Sequence, residues 1–130
     1  MKFELVDFKR IEDGRGKLVV FEENNNCPFE VKRAFFMYEN RTKAVRGAHA
    51  NKESQFLLIP VKGSCKVQID DGHNRTIFEL NTPTNGLFIG RMVWKEMFDF
   101  SQDCVLLALS DRKYDPTEYI RNFDEFLAHF

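Results

Sequence analysis

Hydrophobic residues along this chain fall into short runs separated by turn residues. Runs rich in Val, Ile, Phe and Leu that are bounded by Gly, Asn, Asp or Pro are typical of β-strands. After a first run at Phe3–Leu5, the pattern predicts strands over residues 17–22, 31–38, 55–61, 64–70, 75–80, 86–90, 93–100 and 104–110. Many short strands with turns at regular intervals predict an all-β domain, either a sandwich or a barrel.

The turn residues between these runs predict how neighbouring strands connect. Gly14-Arg15-Gly16 and Asp71-Gly72 predict turns, and Lys62-Gly63 predicts a tight hairpin between the strands on either side of it.

Two kinds of hydrophobic pattern occur within the strands. Cys65, Val67 and Ile69 alternate with polar residues and share one face, as expected for a strand with one buried side. The runs at 56–59 and 105–109 do not alternate. They predict strands that are covered on both faces, or that lie at a subunit interface.

Only the tail has a helical pattern. Asp115-Pro116-Thr117-Glu118 has a proline and acidic residues where a helix would begin. Apolar residues then recur at helical spacing, at Ile120, Phe123, Phe126 and Leu127. The chain therefore divides into a β-barrel over residues 1–110 and a helical tail over residues 111–130, within one domain.

Composition excludes several classes of protein. The chain has 130 residues, is 43% hydrophobic and carries a formal net charge of -1, so it can bury a core but has no electrostatic footprint for nucleic acid or anionic membranes. No run approaches the roughly 20 apolar residues of a membrane span. Charges interrupt the first residues, which predicts no signal peptide. The three cysteines, Cys27, Cys65 and Cys104, are odd in number and far apart, as in a cytosolic protein with reduced thiols.

The stretch from Arg46 to Gly63 carries the candidate chemistry. It resembles the first motif of the cupin superfamily, in which two histidines stand two residues apart, a Glu or Gln follows, and a glycine closes the stretch. Here the two positions are His49 and Asn51, the next is Gln55, and a third histidine is missing from the later motif near Trp94 and Lys95. One imidazole among neutral amides is a poor site for a first-row metal ion. The resemblance therefore implies a cupin-type jelly roll, and the missing ligands predict that its pocket binds no metal.

The resemblance becomes more specific over nearly the whole chain. Its blocks are RGAHANK, GSCKVQIDDG, GLFIG, EMFDFS, CVLLAL and YDPTEYIRNFDEF. They are similar to the sugar-nucleotide 3,4-ketoisomerases, which act on dTDP-4-keto-6-deoxyglucose. The resemblance implies a cytoplasmic homodimer without cofactor that binds a dTDP-linked keto sugar in the barrel. It also implies a place in dideoxyaminosugar biosynthesis for lipopolysaccharide or S-layer glycans.

The chain departs from the commoner family pattern at two places. Many members have a second histidine where this chain has Asn51, and a tyrosine pair where it has Phe35-Phe36. An amide cannot exchange protons at neutral pH. We therefore assign the proton transfers through an enediol to His49 and the orientation of substrate or water to Asn51. The alternative for His49 is a satisfied core histidine. His73, in a turn, and His129, in the tail, are expected at the surface.

An anionic substrate also requires cations and hydrogen-bond donors. Arg46, Arg33 and Arg15 are the main candidates, and Arg41 and Lys52 are further ones, each with an exposed surface charge as the alternative. Gln55 shares parity with 49 and 51 and is expected to face inward. The remaining candidates lie on the opposite strand and are Trp94, Lys95 and Glu96. Parity alone does not decide whether Trp94 or Lys95 faces the pocket.

Other functions remain open at this point. A 3,5-epimerase of the same superfamily would pair a histidine with an aspartate and a tyrosine acid, and Tyr38, Tyr114 and Tyr119 are not obviously so placed. A cupin that binds a sugar nucleotide without catalysis is a third possibility. Within the first function, Arg15 favours a galacto configuration at C4 of the product.

Overall fold

Antiparallel strands make up most of the fold. The structure is a computed structural model and describes residues 2–130. The strands are β1 (Phe3–Asp7), β2 (Arg10–Asp13), β3 (Gly16–Val19), β4 (Arg33–Met37), β5 (Arg46–Asn51), β6 (Phe56–Lys62), β7 (Cys65–Asp70), β8 (Arg75–Leu80), β9 (Asn85–Ile89), β10 (Trp94–Phe98), β11 (Val105–Ser110) and β12 (Tyr119–Ile120). One helix, α1 (Phe123–Leu127), lies near the C-terminus.

Two five-stranded sheets pack face to face. The first has the order β1-β9-β6-β11-β4 and the second β12-β5-β10-β7-β8, while β2 and β3 form a separate hairpin. The main core lies between them and takes Leu58, Leu87 and Leu106 from the first sheet and Val67 and Ile69 from the second. This confirms the expected all-β jelly roll and the inward face of β7.

The run at 56–59 is covered on both faces by the chain itself. Phe56 and Leu58 point into the core between the sheets. Leu57 and Ile59 point to the other side, where they pack with Phe8 and other residues that precede β4. The two-sided covering that the unalternated pattern predicts is therefore present without a second subunit.

The expected hairpin at Lys62-Gly63 is wrong. β6 has β9 and β11 as its neighbours, so neither of its edges is free to pair with β7. The chain instead crosses here from the first sheet to the second. Gly63 has a φ of +69°, and a Cβ at this position would lie 2.8 Å from the Cα of Cys104, so this crossing requires glycine. The turn at Asp71-Gly72, in contrast, does connect a hairpin, between β7 and β8.

The tail is not one helix. Pro116–Glu118 form a single 3-10 turn, after which β12 pairs with the edge of β5, and α1 begins only at Phe123. The free backbone groups of the β5 edge explain the difference, because pairing with them satisfies groups that would otherwise remain exposed. Ile120 and Phe126 are nevertheless buried, packed with Trp94 against the outer side of the second sheet.

The remaining sequence-based expectations concern cysteines, surface histidines and membrane segments. All three cysteines are buried and free, and His73 and His129 are exposed, as expected. Over residues 2–130, none of the helical segments has the length and apolar character that crossing a bilayer requires.

Candidate functional site

A cavity of about 380 Å³ opens between the sheets, beside the edge strand β4. Its volume is in the range of small-ligand sites. It is lined by Phe35, Phe36, Met37, Tyr38, Arg46, Gly47, His49, Phe56, Leu58, Lys95, Met97 and Tyr119. Polar groups come mainly from the second sheet, and aromatic rings mainly from β4 and β6.

A bulge in β5 directs side chains into this cavity. His49 pairs with Lys95 of β10 and Gly47 pairs with Glu96, so Ala48 is an extra residue without a partner in register. Gly47 and Ala48 both have positive φ angles, +82° and +56°. Because the extra residue resets the alternation of the strand, Arg46, Gly47 and His49 all reach the cavity wall.

His49 lies half-buried against the ring of Tyr119, with 4.8 Å between the ring centroids. Its Nδ1 atom is buried and has no hydrogen-bond partner. Burial, together with the charge of the neighbouring Lys95, lowers the pKa of His49 to about 4. The imidazole is therefore neutral at neutral pH and can accept a proton.

Lys95 is a buried lysine that faces the cavity. Its side chain is only 3% exposed, and its Nζ donates a hydrogen bond to Oδ1 of Asn51 at 2.8 Å. Nζ also lies 4.7 Å from the ring centroid of Phe56. Burial lowers the pKa of Lys95 to about 7, with the carboxylate of Glu118 opposing the shift and Arg33 adding to it. This ammonium can therefore lose its proton near neutral pH.

Of the candidates on β10, Lys95 is the one whose side chain faces the cavity. Trp94 and Glu96 lie on the other side, where Trp94 Nε1 donates to Glu96 Oε2 at 2.9 Å. The indole packs against Phe123, 5.2 Å between ring centroids. The expectation that Trp94 and Glu96 contact a substrate is corrected here, because alternate residues of a strand face opposite sides and Lys95 occupies the inner one.

Gln55 and Lys52 do not line the cavity either. β5 ends at Asn51 and β6 begins at Phe56, so the turn between them breaks the parity that placed Gln55 with His49. Its Nε2 donates to Asp111 at 2.9 Å instead. Lys52 lies in the same turn and is exposed.

The three arginine candidates lie in different surroundings. Arg46 lines the cavity, and its Nε donates to Asn40 at 3.0 Å. The guanidinium carbon of Arg33 lies 5.4 Å from the ring centroid of Phe35 and 5.7 Å from that of Phe56, and its Nε and Nη2 atoms are buried without partners. Arg15 is outside this cavity, in the turn between β2 and β3, with its side chain 92% exposed.

Sequence reasoning missed two residues that β12 and the 3-10 turn bring to the site. Tyr119 lies against His49, which removes the objection that no tyrosine is suitably placed. Glu118 is 4% exposed and accepts hydrogen bonds from the Ser54 hydroxyl and from the backbone N–H groups of Glu53 and Ser54. Burial alone would raise the pKa of Glu118, but these hydrogen bonds outweigh it and the pKa is lowered. No sequence signal distinguished this carboxylate, because the tail was expected to be helical.

A few buried polar side-chain atoms have no hydrogen-bond partner, and one of them belongs to His49 of the cavity wall. Within residues 2–130 they belong to four side chains, Arg33, His49, Asn51 and Ser110, and Ser110 lies opposite Arg33 in the β4–β11 register. Such atoms are costly unless something binds them. Over the same residues, His, Cys, Asp and Glu side chains form no group of three or more that could hold a metal ion.

A double-sheet jelly roll with a polar pocket between its sheets is the architecture of the cupin class. The chain belongs to the family described as "FdtA: WxcM-like, C-terminal", whose model matches residues 1–130.

Individual relatives agree with this assignment. A curated protein from Aneurinibacillus thermoaerophilus, TDP-4-oxo-6-deoxy-alpha-D-glucose-3,4-oxoisomerase, is 43% identical over 126 residues, which cover 97% of this chain and 91% of that protein. A 3,4-ketoisomerase from Helicobacter canadensis superposes with a TM-score of 0.96 at 41% identity, covering 99% of this chain and 97% of that one. QdtA, a sugar 3,4-ketoisomerase from Thermoanaerobacterium thermosaccharolyticum in complex with TDP, gives a TM-score of 0.95 at 39% identity, covering 98% and 93%.

Proposed function

We propose that this protein is a 3,4-ketoisomerase that converts dTDP-4-keto-6-deoxyglucose to a dTDP-3-keto-6-deoxyhexose. The observation that carries the proposal is the neutral, half-buried His49 in a cavity that also presents the buried ammonium of Lys95. The unpaired guanidinium of Arg33 packs against Phe35 and Phe56, two rings of the cavity wall. A relative with 43% identity is a TDP-sugar oxoisomerase, which supports the substrate class.

His49 carries the carbon proton transfers in this proposal. Moving the carbonyl from C4 to C3 requires removal of the proton on C3, an enediol intermediate and return of a proton to C4. A neutral imidazole accepts the first proton and, once protonated, delivers the second. Asn51 cannot exchange protons, and we assign it to orientation, because its Oδ1 accepts a hydrogen bond from the Lys95 ammonium.

The nucleotide is bound by the basic and aromatic side of the cavity in this proposal. Arg33 and Arg46 are the candidates for the diphosphate, because a guanidinium presents paired donors that match phosphate oxygens. Phe36 and Tyr38 lie at the mouth with ring centroids 5.7 Å apart, and both are more than half exposed. They offer an aromatic surface for the base.

We propose that the reaction needs no metal ion. The Oδ1 of Asn51, which would be the second ligand beside His49, already accepts a hydrogen bond from Lys95. A divalent cation there would also face the ammonium itself. Unchanged turnover after dialysis against a chelator is expected, and activity that returns only with added metal would contradict this part of the proposal.

We also propose that the protein acts as a homodimer. The β2–β3 hairpin exposes Ile11 (51%) and Leu18 (56%). A second copy is one way to cover these side chains. Arg15 lies in that hairpin, so it would contact a substrate only in the cavity of another copy. In that position it would favour the galacto product. Cytoplasmic location and the dideoxyaminosugar pathway stay predictions.

A 3,5-epimerase is the second candidate, because Tyr119 lies beside His49 as an acid would in such an enzyme. Incubation with dTDP-4-keto-6-deoxyglucose in D2O, followed by NMR, separates the candidates. We expect a new 3-keto sugar, with deuterium at C4 in those turnovers in which the protonated His49 exchanges with solvent before it delivers its proton. Deuterium at C3 and C5 would identify an epimerase, and no new keto sugar would leave only a binding function. The H4–H5 coupling of the product reports its C4 configuration.

Replacement of Arg33 by Met is expected to weaken TDP binding by about 10- to 100-fold, since a charged hydrogen bond contributes about 1.5–3 kcal/mol. Calorimetric titration with TDP measures the change. Arg75→Met is the matched control, because Arg75 lies on β8 and pairs with Asp70. Equal affinities in the two variants would contradict a role for Arg33 in binding the nucleotide.

The rate at low pH provides a further test. The base must be neutral, and the pKa of His49 is lowered to about 4, so protonation removes the base only when the pH falls to about that value. We expect kcat/KM of the wild type to decline near pH 4. A decline near 6.5, the ordinary value for histidine, would show that His49 is not held in the buried, neutral state.

A further inference from the structure

The site contains a second group suited to proton transfer, and it lies directly opposite His49. Lys95 and His49 are paired in register across β10 and β5, at the bulge, and both line the cavity. Nζ of Lys95 makes one hydrogen bond, to the neutral Asn51, and no salt bridge forms on it within residues 2–130. Its other N–H groups remain available to a ligand.

We propose that Lys95 is a catalytic residue that exchanges a proton with the sugar oxygens, while His49 exchanges one with the carbons. This inference rests on the proposed function. It assigns a residue to the proton exchange at the two sugar oxygens, which His49 does not carry out. The lowered pKa of Lys95, about 7, is consistent with a group that both gives and takes a proton.

The two groups together balance the reaction. In the first half, the C3–H bond breaks and its proton goes to His49, the electron pair forms the C3–C4 double bond, and O4 takes a proton from the Lys95 ammonium. In the second half, the O3–H proton goes to the neutral Lys95 amine, the carbonyl forms at C3, and C4 takes the proton from His49. Both side chains return to their starting states, and no further reactant is needed.

The charged and titratable groups around Lys95 set its protonation. His49 faces it from β5, with the ring of Tyr119 behind the imidazole, and Arg33 faces it from β4 and disfavours the ammonium. Glu118, from the 3-10 turn, favours the ammonium. On β7 the paired residue is Ile69, which carries no charge. Glu118 is therefore the carboxylate that favours the protonated form of Lys95, and it acts as a positioning residue through its charge.

Steady-state kinetics of Lys95→Gln on dTDP-4-keto-6-deoxyglucose tests the role. We expect kcat to fall by about 10²- to 10⁴-fold while TDP affinity stays close to the wild type. Methylamine is expected to restore part of the rate in Lys95→Ala, because it can supply the missing acid. Lys66→Gln is the matched control, since the Lys66 side chain is 41% exposed and pairs with Asp99. A Lys95→Gln variant within about threefold of the wild-type kcat, or a loss that is confined to KM, overturns the proposal.

A second arm uses the pH profile and does not depend on how Lys95 variants fold. The ammonium is needed as the acid, so wild-type kcat/KM is expected to fall as the pH rises through the pKa of Lys95. In Glu118→Gln this decline should move to lower pH, because the carboxylate that favours the ammonium is gone. A merely structural role of Glu118 would lower stability and leave the decline where it is, and that result also overturns the proposal.

The same assay separates this role from the proposed function. Wild-type turnover is measured first, and its absence would overturn both. Wild-type turnover together with an unimpaired Lys95→Gln variant would overturn only the role of Lys95.

Discussion

Replacing His49 by Gln is expected to reduce turnover by on the order of 10³- to 10⁴-fold, at the upper end of what one positioned acid–base group contributes. The effect is large because the same imidazole removes the proton at C3 and returns one to C4. Gln has a similar size and can still form a hydrogen bond, so the cavity should keep its shape. Single-turnover NMR assays on dTDP-4-keto-6-deoxyglucose would measure the loss.

Two further measurements make the result specific. TDP affinity in His49→Gln should stay near the wild-type value, because the imidazole faces the sugar in the proposed complex. His73→Gln is the control, since His73 lies exposed in the β7–β8 turn. Exchange of the C3 proton with D2O should also stop in His49→Gln. Continued exchange at the wild-type rate would show that another group removes this proton.

Replacing Gly47 by Ala is expected to destabilise the protein by at least about 1–3 kcal/mol, the usual cost of one residue held in a strained backbone conformation. Gly47 has a φ of +82°, which disfavours any side chain, and a Cβ there would lie 2.8 Å from the carbonyl oxygen of Lys95. That oxygen belongs to the β10 backbone, which cannot move away without disturbing its pairing with β7. Denaturant unfolding would measure the loss of stability.

The same substitution should impair catalysis. Relief of the clash requires β5 and β10 to separate at the bulge, which displaces His49 from Lys95. Gly14→Ala is the matched control, because a Cβ at Gly14 meets nothing within 4 Å. We expect that control to change stability by only a few tenths of a kcal/mol. A Gly47→Ala variant as stable and active as Gly14→Ala would show that the bulge does not depend on glycine.

The arrangement gives a physical account of why Asn51 can occupy the position of a second histidine. Asn51 is 1% exposed and holds the Lys95 ammonium in hydrogen-bond contact. A neutral amide can orient that group without competing with it for a proton. In our proposal the second titratable group is therefore still present, but it comes from β10 instead of β5.

Much of the strand pattern could be predicted from the residues alone. The inner face of β7 follows from strict alternation, and the two-sided burial of β6 follows from its lack of alternation. Both are local consequences of the period of a β-strand, so they do not depend on which strands pair. The connections were less predictable, because Lys62-Gly63 has the composition of a hairpin but crosses between sheets. The neighbours of β6 decide that outcome.

The candidate site also has a part that the sequence indicates and a part that depends on the tertiary structure. His49, Arg33, Arg46 and Lys95 could be named from the sequence because residue type and motif spacing already limit what can exchange protons or bind phosphate. Two other features depend on the tertiary structure. The register of β10 against the bulged strand β5 places Lys95 beside His49. Because β5 ends before Gln55, that side chain hydrogen-bonds to Asp111 and does not face the cavity.

Only the tertiary structure brings Glu118 and Tyr119 to the site. Their local sequence favours a helix, but residues 119–120 instead pair as a short strand with the edge of β5, which is distant in the sequence. The sequence by itself therefore determined which side chains are candidates for the chemistry and that most of them lie on strands. Their grouping around one cavity was decided by strand pairing between distant segments, since the satisfaction of backbone hydrogen bonds at a sheet edge outweighs local helical preference.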